Sequence, residues 1–256
     1  MVRKTFTTAV ALAALAALAL PLAAQEAAPK TADEVVALYV KAHGGADKLA
    51  AMKSMRITGK MMMGPGMEAP ITIEWKRPNK VRMDFVVQGM TGTQAYDGET
   101  AWMLMPFMGQ TAPDRMPADQ AKEIMEQADM EGPLVNYQEK GNTIEFLGDA
   151  DVEGTPTYKL KITRKSGDVT NYYIDKETHL ELKSDTKRTI NGQEMEISVN
   201  FGDFKEVGGL MFFHSIEAKA AGMPGGQVLT FEKVEVNADL GDDRFKMPAA
   251  APASGN

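Results

Sequence analysis

Residues 75 to 107 read WKRPNKVRMDFVVQGMTGTQAYDGETAWMLMPF, and the spacing of apolar residues in this stretch decides the fold. Val81, Met83, Phe85 and Val87 recur at every second position with Arg82 and Asp84 between them, which is the period of a strand with one face buried. Trp75-Lys76-Arg77-Pro78-Asn79 ends a preceding apolar strand in a turn, and Asp97-Gly98 joins two more strands, so the stretch is a β-meander. Its last strand carries Trp102, Met103, Leu104 and Met105 at consecutive positions. Both faces of that strand are therefore expected to be buried, each under its own cover. Which of Trp102/Leu104 and Met103/Met105 faces inward is open at this level.

Working outward towards the N-terminus, Met55, Ile57, Gly59, Met61 and Met63 share one face of a strand. After Gly64-Pro65-Gly66, Ile71, Ile73 and Trp75 do the same. The tip formed by Met62, Met63 and Met67 is the expected exposed apolar patch. Before these strands the period is helical: Thr31 and Glu34 form a capping box, and Val35, Val36, Leu38, Tyr39 and Val40 give an apolar stripe that stops at Gly44-Gly45. A second short helix spans Ala46 to Met52, and His43, in the last turn of the first, reads as structural. Residues 1–24 read as a cleaved secretory signal, with Arg3 and Lys4, an apolar run from Ala9 to Leu20, and Leu22-Ala23-Ala24 as the cleavage site. The expected location is therefore the periplasm.

Beyond the meander, Pro117 to Glu131 carries Ala121, Ile124, Met125 and Ala128 on one stripe, with a proline at its first turn and Gly132-Pro133 after its end. A single helix between meanders has to lie across an open sheet face, as a lid. Seven strands follow: Thr143 to Leu147, Thr157 to Arg164, Val169 to Ile174, Leu180 to Arg188, Glu194 to Phe204, Leu210 to Ala218 and Gln227 to Val236. Ser166-Gly167-Asp168, Asn191-Gly192 and Gly208-Gly209 fit their turns, and the apolar phase of the last strand slips near Glu232-Lys233, which predicts a bulge. The first helix and the midchain helix are the expected covers of the meander. Residues 249–256 have the composition of a disordered tail.

The predicted fold is mainly β: one domain over residues 25–248, an unclosed antiparallel half-barrel of about ten or eleven strands, because a long twisted meander curls. Its N-terminal and midchain helices form a lid over a hydrophobic cavity. The net charge of −7 becomes −9 once the two cations of the signal are subtracted, which argues against nucleic acid and against docking on an anionic membrane. The signal apart, nothing marks an integral membrane protein. With no cysteine, three histidines and neither Gly-x-Ser-x-Gly nor His-Glu-x-x-His, no enzyme and no cofactor is expected. Asp175, Glu177 and His179 read as a solvated turn rather than a metal site, and His214 as structural.

Trp-Lys-Arg-Pro-Asn at 75 to 79, then Asp97-Gly98-Glu99-Thr100-Ala101-Trp102 and Pro106-Phe107 with Gln110, resemble the outer-membrane lipoprotein-sorting carriers of the LolA/LolB-like fold. Arg244-Phe245-Lys246-Met247-Pro248 is similar to that family's closing strand. The resemblance implies a half-barrel holding acyl chains, a lipoprotein or lipid cargo, and as partners an inner-membrane release complex and an outer-membrane acceptor. It also implies that Arg77 latches the helical lid through lid carbonyls. The longer second half and the methionine enrichment, fourteen of nineteen between Met52 and Met130, depart from the carrier.

Methionine suits a repacking apolar site because its unbranched thioether has no single preferred fit. The expected lining is Met61, Met63, Trp75, Met83, Phe85, Trp102, Leu104, Ile124 and Met125. Two other readings remain at this stage. One is an envelope sensor of lipids or lipoproteins on the same fold. The other is a Cu(I) protein using Met61, Met62, Met63 and Met67 with Met103 and Met105, since thioethers are soft ligands.

Overall fold

The computed structural model describes residues 28–64, 66–190, 193–222 and 225–249. The expected signal, the Asn191-Gly192 turn and nearly all of the expected tail lie outside the described residues. Thr31 caps the first helix, α1 (Ala32–Ala42), through a complete capping box with Glu34, and α2 (Ala46–Ala51) follows. Then come β1 (Ser54–Gly64), β2 (Met67–Lys76), β3 (Lys80–Val87), β4 (Met90–Tyr96), β5 (Ala101–Leu104) and β6 (Asp114–Arg115). The midchain helix α3 (Ala118–Gln127) is shorter than its sequence pattern. It leads into β7 (Thr143–Val152), β8 (Thr155–Thr163), β9 (Val169–Asp175), β10 (Glu181–Ile190) and β11 (Gln193–Gly202). The chain ends with β12 (Lys205–Val207), β13 (Leu210–Phe212), β14 (Ser215–Ala220) and β15 (Gln227–Val236).

Thirteen strands, more than the ten or eleven expected, form one antiparallel sheet in the order β6-β5-β4-β3-β2-β1-β15-β14-β11-β10-β9-β8-β7. The predicted strand Glu194 to Phe204 breaks after Gly202, where Asp203 takes a φ of 51°. The predicted strand Leu210 to Ala218 breaks at His214, whose N–H donates to the carbonyls of Gly202 and Asp203, both at 3.0 Å. The excursion between these breaks is the separate β12–β13 hairpin, turned at Gly208-Gly209. It docks on the α1–α2 corner, where Met211 N–H donates to His43 O at 3.3 Å and Lys48 Nζ to Gly209 O at 3.2 Å.

The expected bulge in β15 is present: Thr58 pairs with Lys233 and Gly59 with Phe231, leaving Glu232 unmatched. Gly59 belongs there, because a Cβ at this position would lie 2.1 Å from the Thr230 carbonyl oxygen.

The sheet is unclosed between its edge strands β6 and β7, and the segment joining them carries α3. Six steps separate β2 from β9, and at roughly 20 to 25° per step the sheet turns by roughly 120 to 150°. That rotation brings the β2–β3 turn and the β8–β9 turn, at opposite ends of their strands, to one cleft beside α3.

The concave face holds one continuous core: Met55, Ile57, Ile71, Ile73 and Val81 from the first half, Leu160, Ile162 and Ile174 from the second, and Val35, Tyr39, Ile124 and Ala128 from the helices. Both helices therefore cover the same face, which corrects the expectation that they share the two sides of the meander. The convex face of β1–β5 is covered instead by the C-terminal segment after β15. Lys76 Nζ donates to Leu240 O at 2.7 Å, Arg82 to Arg244 O at 2.7 Å, and Trp102 Nε1 to the carbonyl of fully buried Phe245 at 2.7 Å. Glu74, 1 % exposed, accepts from Arg56 at 2.8 Å and from Arg244 at 2.7 Å, so both its oxygens are matched by guanidinium groups. Lys76 and Lys80 hold the Asp242 carboxyl down at about 2. The Arg244–Pro248 segment, entered through a short 3-10 turn at Asp242–Arg244, is thus a strap rather than a closing strand.

Candidate functional site

The concave face is the candidate site, and the pleat decides what lines it. Val81 pairs with Tyr96 and Met83 with Gln94; Tyr96 and Gln94 pair in turn with Ala101 and Met103. Ala101 and Met103 therefore share the concave face with Met61, Trp75, Met83 and Phe85. Trp102 and Leu104 point to the convex face, which corrects their expected place in the lining. Trp102 is 1 % exposed, with the Arg82 guanidinium 5.8 Å from its ring centre. The four consecutive apolar residues arise because both sides of β5 are covered, α3 on one and the strap on the other. Met103, half-buried against the main core, takes the inward place.

Met61 is buried, while Trp75, Met83 and Phe85 are partly exposed on the same face. Gly92 leaves room on β4 for the Phe85 and Phe107 rings, whose centres lie 5.7 Å apart with their planes tilted at 58°. A Cβ at Gly92 would stand 2.7 Å from Phe107 and 2.9 Å from Phe85. On α3, Ile124 points into the interior, whereas Met125 is 48 % exposed and faces out of it. The side chain of Met63 lies outside those described. At the β1–β2 tip Met67 is exposed, as its patch assignment expected. Met61 and Met62 point to opposite faces of β1, so the neighbouring thioethers do not converge. Among the described residues no group of three or more His, Asp and Glu side chains stands in metal-ligand geometry. Asp175 caps its own turn, accepting from Glu177 N at 2.6 Å and Thr178 N at 2.9 Å.

The helices that cover this face are fastened by polar groups at their margins. Arg77, at the β2–β3 turn, donates to Met52 O at 2.6 Å and Leu49 O at 3.0 Å, both at the C-terminal end of α2, and pairs with buried Glu131 beyond α3. Trp75 Nε1 donates to Gln127 O, at the end of α3, at 2.8 Å. On the other side of the gap, Arg164 stands 3.6 Å from Glu126, Ser166 donates to Glu126 at 3.3 Å, and Lys122 pairs with Asp168. Partial burial raises the Asp168 carboxyl, but the Lys122 ammonium and the Ser166 hydroxyl outweigh it and hold it at about 2. α3 itself has no side-chain N-cap and only ten residues, a length that is marginal for an isolated helix in water. It stays in place through Ile124, Ala128 and these clasps.

α1 is tied to the opposite wall. His43 Nε2 lies 3.0 Å from Glu181 on β10, and its Nδ1 lies 3.0 Å from Tyr39 O, with both side chains buried. Burial disfavours the imidazolium, but Glu181 and the Tyr39 carbonyl outweigh it and raise the His43 pKa above its usual value. A raised histidine pKa stabilises the fold fully below the unfolded value of about 6.5 and loses that contribution as pH rises through the folded value. His43→Asn is therefore expected to lower stability by about 1–3 kcal/mol at about pH 5.5 and by less at about pH 8, read from urea unfolding. An equal loss at both pH values would remove the charged pair from the account.

Sequence reasoning reached Arg77 but missed Glu131, Glu126, Arg164 and the His43–Glu181 pair. Arg77 and Glu131 are 54 residues apart, and nothing in the local pattern of either announces the other.

No family model matches the sequence, and no curated protein does. Solved structures do match in shape. A LolA superfamily protein from Nitrosomonas europaea superposes with a TM-score of 0.58 at 14 % identity, over 85 % of this chain and 98 % of its own. A putative outer membrane lipoprotein-sorting protein domain from Vibrio parahaemolyticus does so at 0.56 and 12 % identity, over 84 % and 97 %. The chain has the LolA-like fold. A DUF1329 family protein from Desulfovibrio piger has the same shape, at a TM-score of 0.59 and 13 % identity over 85 % and 98 %. At these identities the likeness is one of fold. In this LolA-like chain the expected unclosed half-barrel and helical cover are present, and the arginine of the Lys-Arg-Pro-Asn turn bonds to helix carbonyls.

Proposed function

We propose that this protein binds the apolar chains of lipids or lipoproteins on the concave face of its half-barrel, under the helices, and carries them between the membranes of the cell envelope. One observation carries the reading: a continuous apolar interior is roofed by helices whose outer fastenings are polar, with Arg77 joining the ends of α2 and α3. A permanent core is covered as well, but its cover need never open. A carrier needs one that opens, because its interior must be covered when empty and reached when loading.

The energetics fit that cycle. Each methylene withdrawn from water contributes about 0.8 kcal/mol, so one long acyl chain brings roughly 10 kcal/mol. The lid's apolar anchors, Val35 and Ile124 among them, would have to leave, at about 1.5–3 kcal/mol for each such side chain if it became fully exposed. Contact with the incoming chain offsets much of this. Trp75, Met83, Phe85 and Met103 are the partly buried side chains at which that contact would begin. The finer reading is outer-membrane lipoprotein sorting in the periplasm after signal cleavage, with loading from an inner-membrane release complex and delivery to an outer-membrane acceptor.

Native mass spectrometry of the protein prepared from the envelope, followed by lipid extraction, tests this. The expected result is a population heavier by the mass of an acyl-bearing molecule, which collapses to the bare chain on activation. A bare chain in every preparation, with no acylated species in the extract, would overturn the proposal.

A further inference from the structure

Beside α3 lies a cleft of about 890 Å³, bounded by the β2–β3 turn on one side and by residues 140–142 and the β8–β9 turn on the other. Its two sides differ in chemistry. α3 contributes the small face of Ala118 and Ala121 and the exposed thioether of Met125. The opposite side contributes Lys140, Arg164 and Lys165, and α3 itself adds Lys122, which is paired with Asp168. Only two acids line the cleft with these four cations, Glu126 and Asp129, in a chain whose net charge is −7. Lys140 is committed to Asp129 at 2.7 Å, but Arg164 is 3.6 Å from Glu126, longer than a good hydrogen bond, and Lys165 forms no salt bridge among the described residues.

The apolar part of the cleft is one helix away from the interior. Met125 lines the cleft, and its neighbour Ile124 is buried in the core. A molecule with its charge at Lys165 and Arg164 could run its tail along Ala121 and Met125 to the margin of α3.

We propose that this cleft is a headgroup site for an anionic amphiphile: Lys165 and Arg164 take a carboxylate or phosphate, and Ala121 and Met125 take the first methylenes of the attached chain. The inference rests on the reading of the interior as an acyl-chain site, and adds to it that the cargo carries a negative head.

The test compares three ligands against the full mature chain by calorimetry: lysophosphatidic acid, a monoacylglycerol with the same acyl chain, and glycerol 3-phosphate. The anionic lipid is expected to bind at least about tenfold more tightly than the neutral one, with glycerol 3-phosphate alone far weaker than either. Because a partly exposed ion pair is of modest strength, Lys165→Gln should reduce the anionic-to-neutral preference by about fivefold, and Lys165→Glu by more. Lys187→Gln, on an exposed lysine away from the cleft, should leave it unchanged. Circular dichroism of each variant confirms that it is folded. Equal binding of both lipids, or a preference indifferent to both Lys165 variants, overturns the headgroup site while leaving the acyl-chain reading intact. Glycerol 3-phosphate binding as tightly as the lipid makes the cleft a small-anion site and overturns the amphiphile. If none of the three binds, the acyl-chain reading fails with the proposal.

Discussion

Trp102→Ala is expected to destabilise the protein by about 3–5 kcal/mol, the usual range for removing a fully buried large aromatic, without reshaping the concave face. Trp102 stands on the convex side of β5, 1 % exposed, under the C-terminal strap. Its removal opens a cavity and also leaves the Phe245 carbonyl without its 2.7 Å donor. The strap is held to the sheet at few other points, chiefly through Lys76, Arg82 and the Arg244–Glu74 pair, so it should detach early in unfolding. Limited proteolysis would show new cleavage between Leu240 and Pro248. Trp102→Phe keeps most of the ring volume and loses the N–H donor, and should cost about 1 kcal/mol. In that milder variant the fraction of acyl-loaded protein should match the wild type. A loss of loading in Trp102→Phe at unchanged stability would return Trp102 to the ligand site and refute the assignment of faces.

Trp102 also marks where the sequence stops being informative. In β1, β2 and β3 the convex face carries polar and charged residues such as Arg56, Glu74 and Arg82, so Met55 and Ile57, Ile71 and Ile73, or Val81 and Met83 declare their side by alternating with them, and the concave face is legible. Trp102, Met103, Leu104 and Met105 have no polar partner in the alternation, and a run without phase cannot state which way it points. Its message, that both sides are covered, is correct, but the outer cover is a C-terminal strap whose strongest sequence feature, Arg244-Phe245, says nothing of where it lands. The lid helix α3 was legible because Pro117 and Gly132-Pro133 bracket a helical stripe. Met125 was misplaced because it belongs to the edge of that stripe, one residue from Ile124 and so on a different face of the helix. The clasps were illegible for another reason. Glu131, Arg164 and Glu181 look like ordinary surface charges, and only the curl of the sheet brings them to Arg77, Glu126 and His43.

Arg77→Leu should have the second large effect, and a different one. The side chain ties three segments together: the β2–β3 turn to which it belongs, the carbonyls of Leu49 and Met52 at the end of α2, and Glu131 after α3. Breaking a buried ion pair by removing one partner costs about 3–5 kcal/mol. Arg77 is about one-third exposed, and Lys140 remains 3.8 Å from Glu131, so about 2–3 kcal/mol is expected here. That loss falls on the lid rather than on the sheet, whose ladder hydrogen bonds do not involve the Arg77 side chain. Trp75 reports on it directly, because its Nε1 bonds to the Gln127 carbonyl at the end of α3. In a Trp102→Phe background Trp75 is the remaining tryptophan. Arg77→Leu should then shift its emission to the red and raise its quenching by acrylamide at temperatures well below global unfolding. Amide exchange should quicken in α2 and α3 and stay slow in β1, β2 and β15. For a carrier the functional consequence is that ligand still enters, since the apolar face is intact, but retention and handover fail because the roof no longer closes over it. Arg77→Lys separates this from a loss of charge alone: a lysine retains the cation but cannot reach two helix carbonyls and Glu131 with one planar fork, so it should restore only part of the closure. If Arg77→Leu leaves Trp75 emission, α3 exchange and ligand handover as in the wild type, the clasp holds nothing that function uses, and the carrier reading loses its central support.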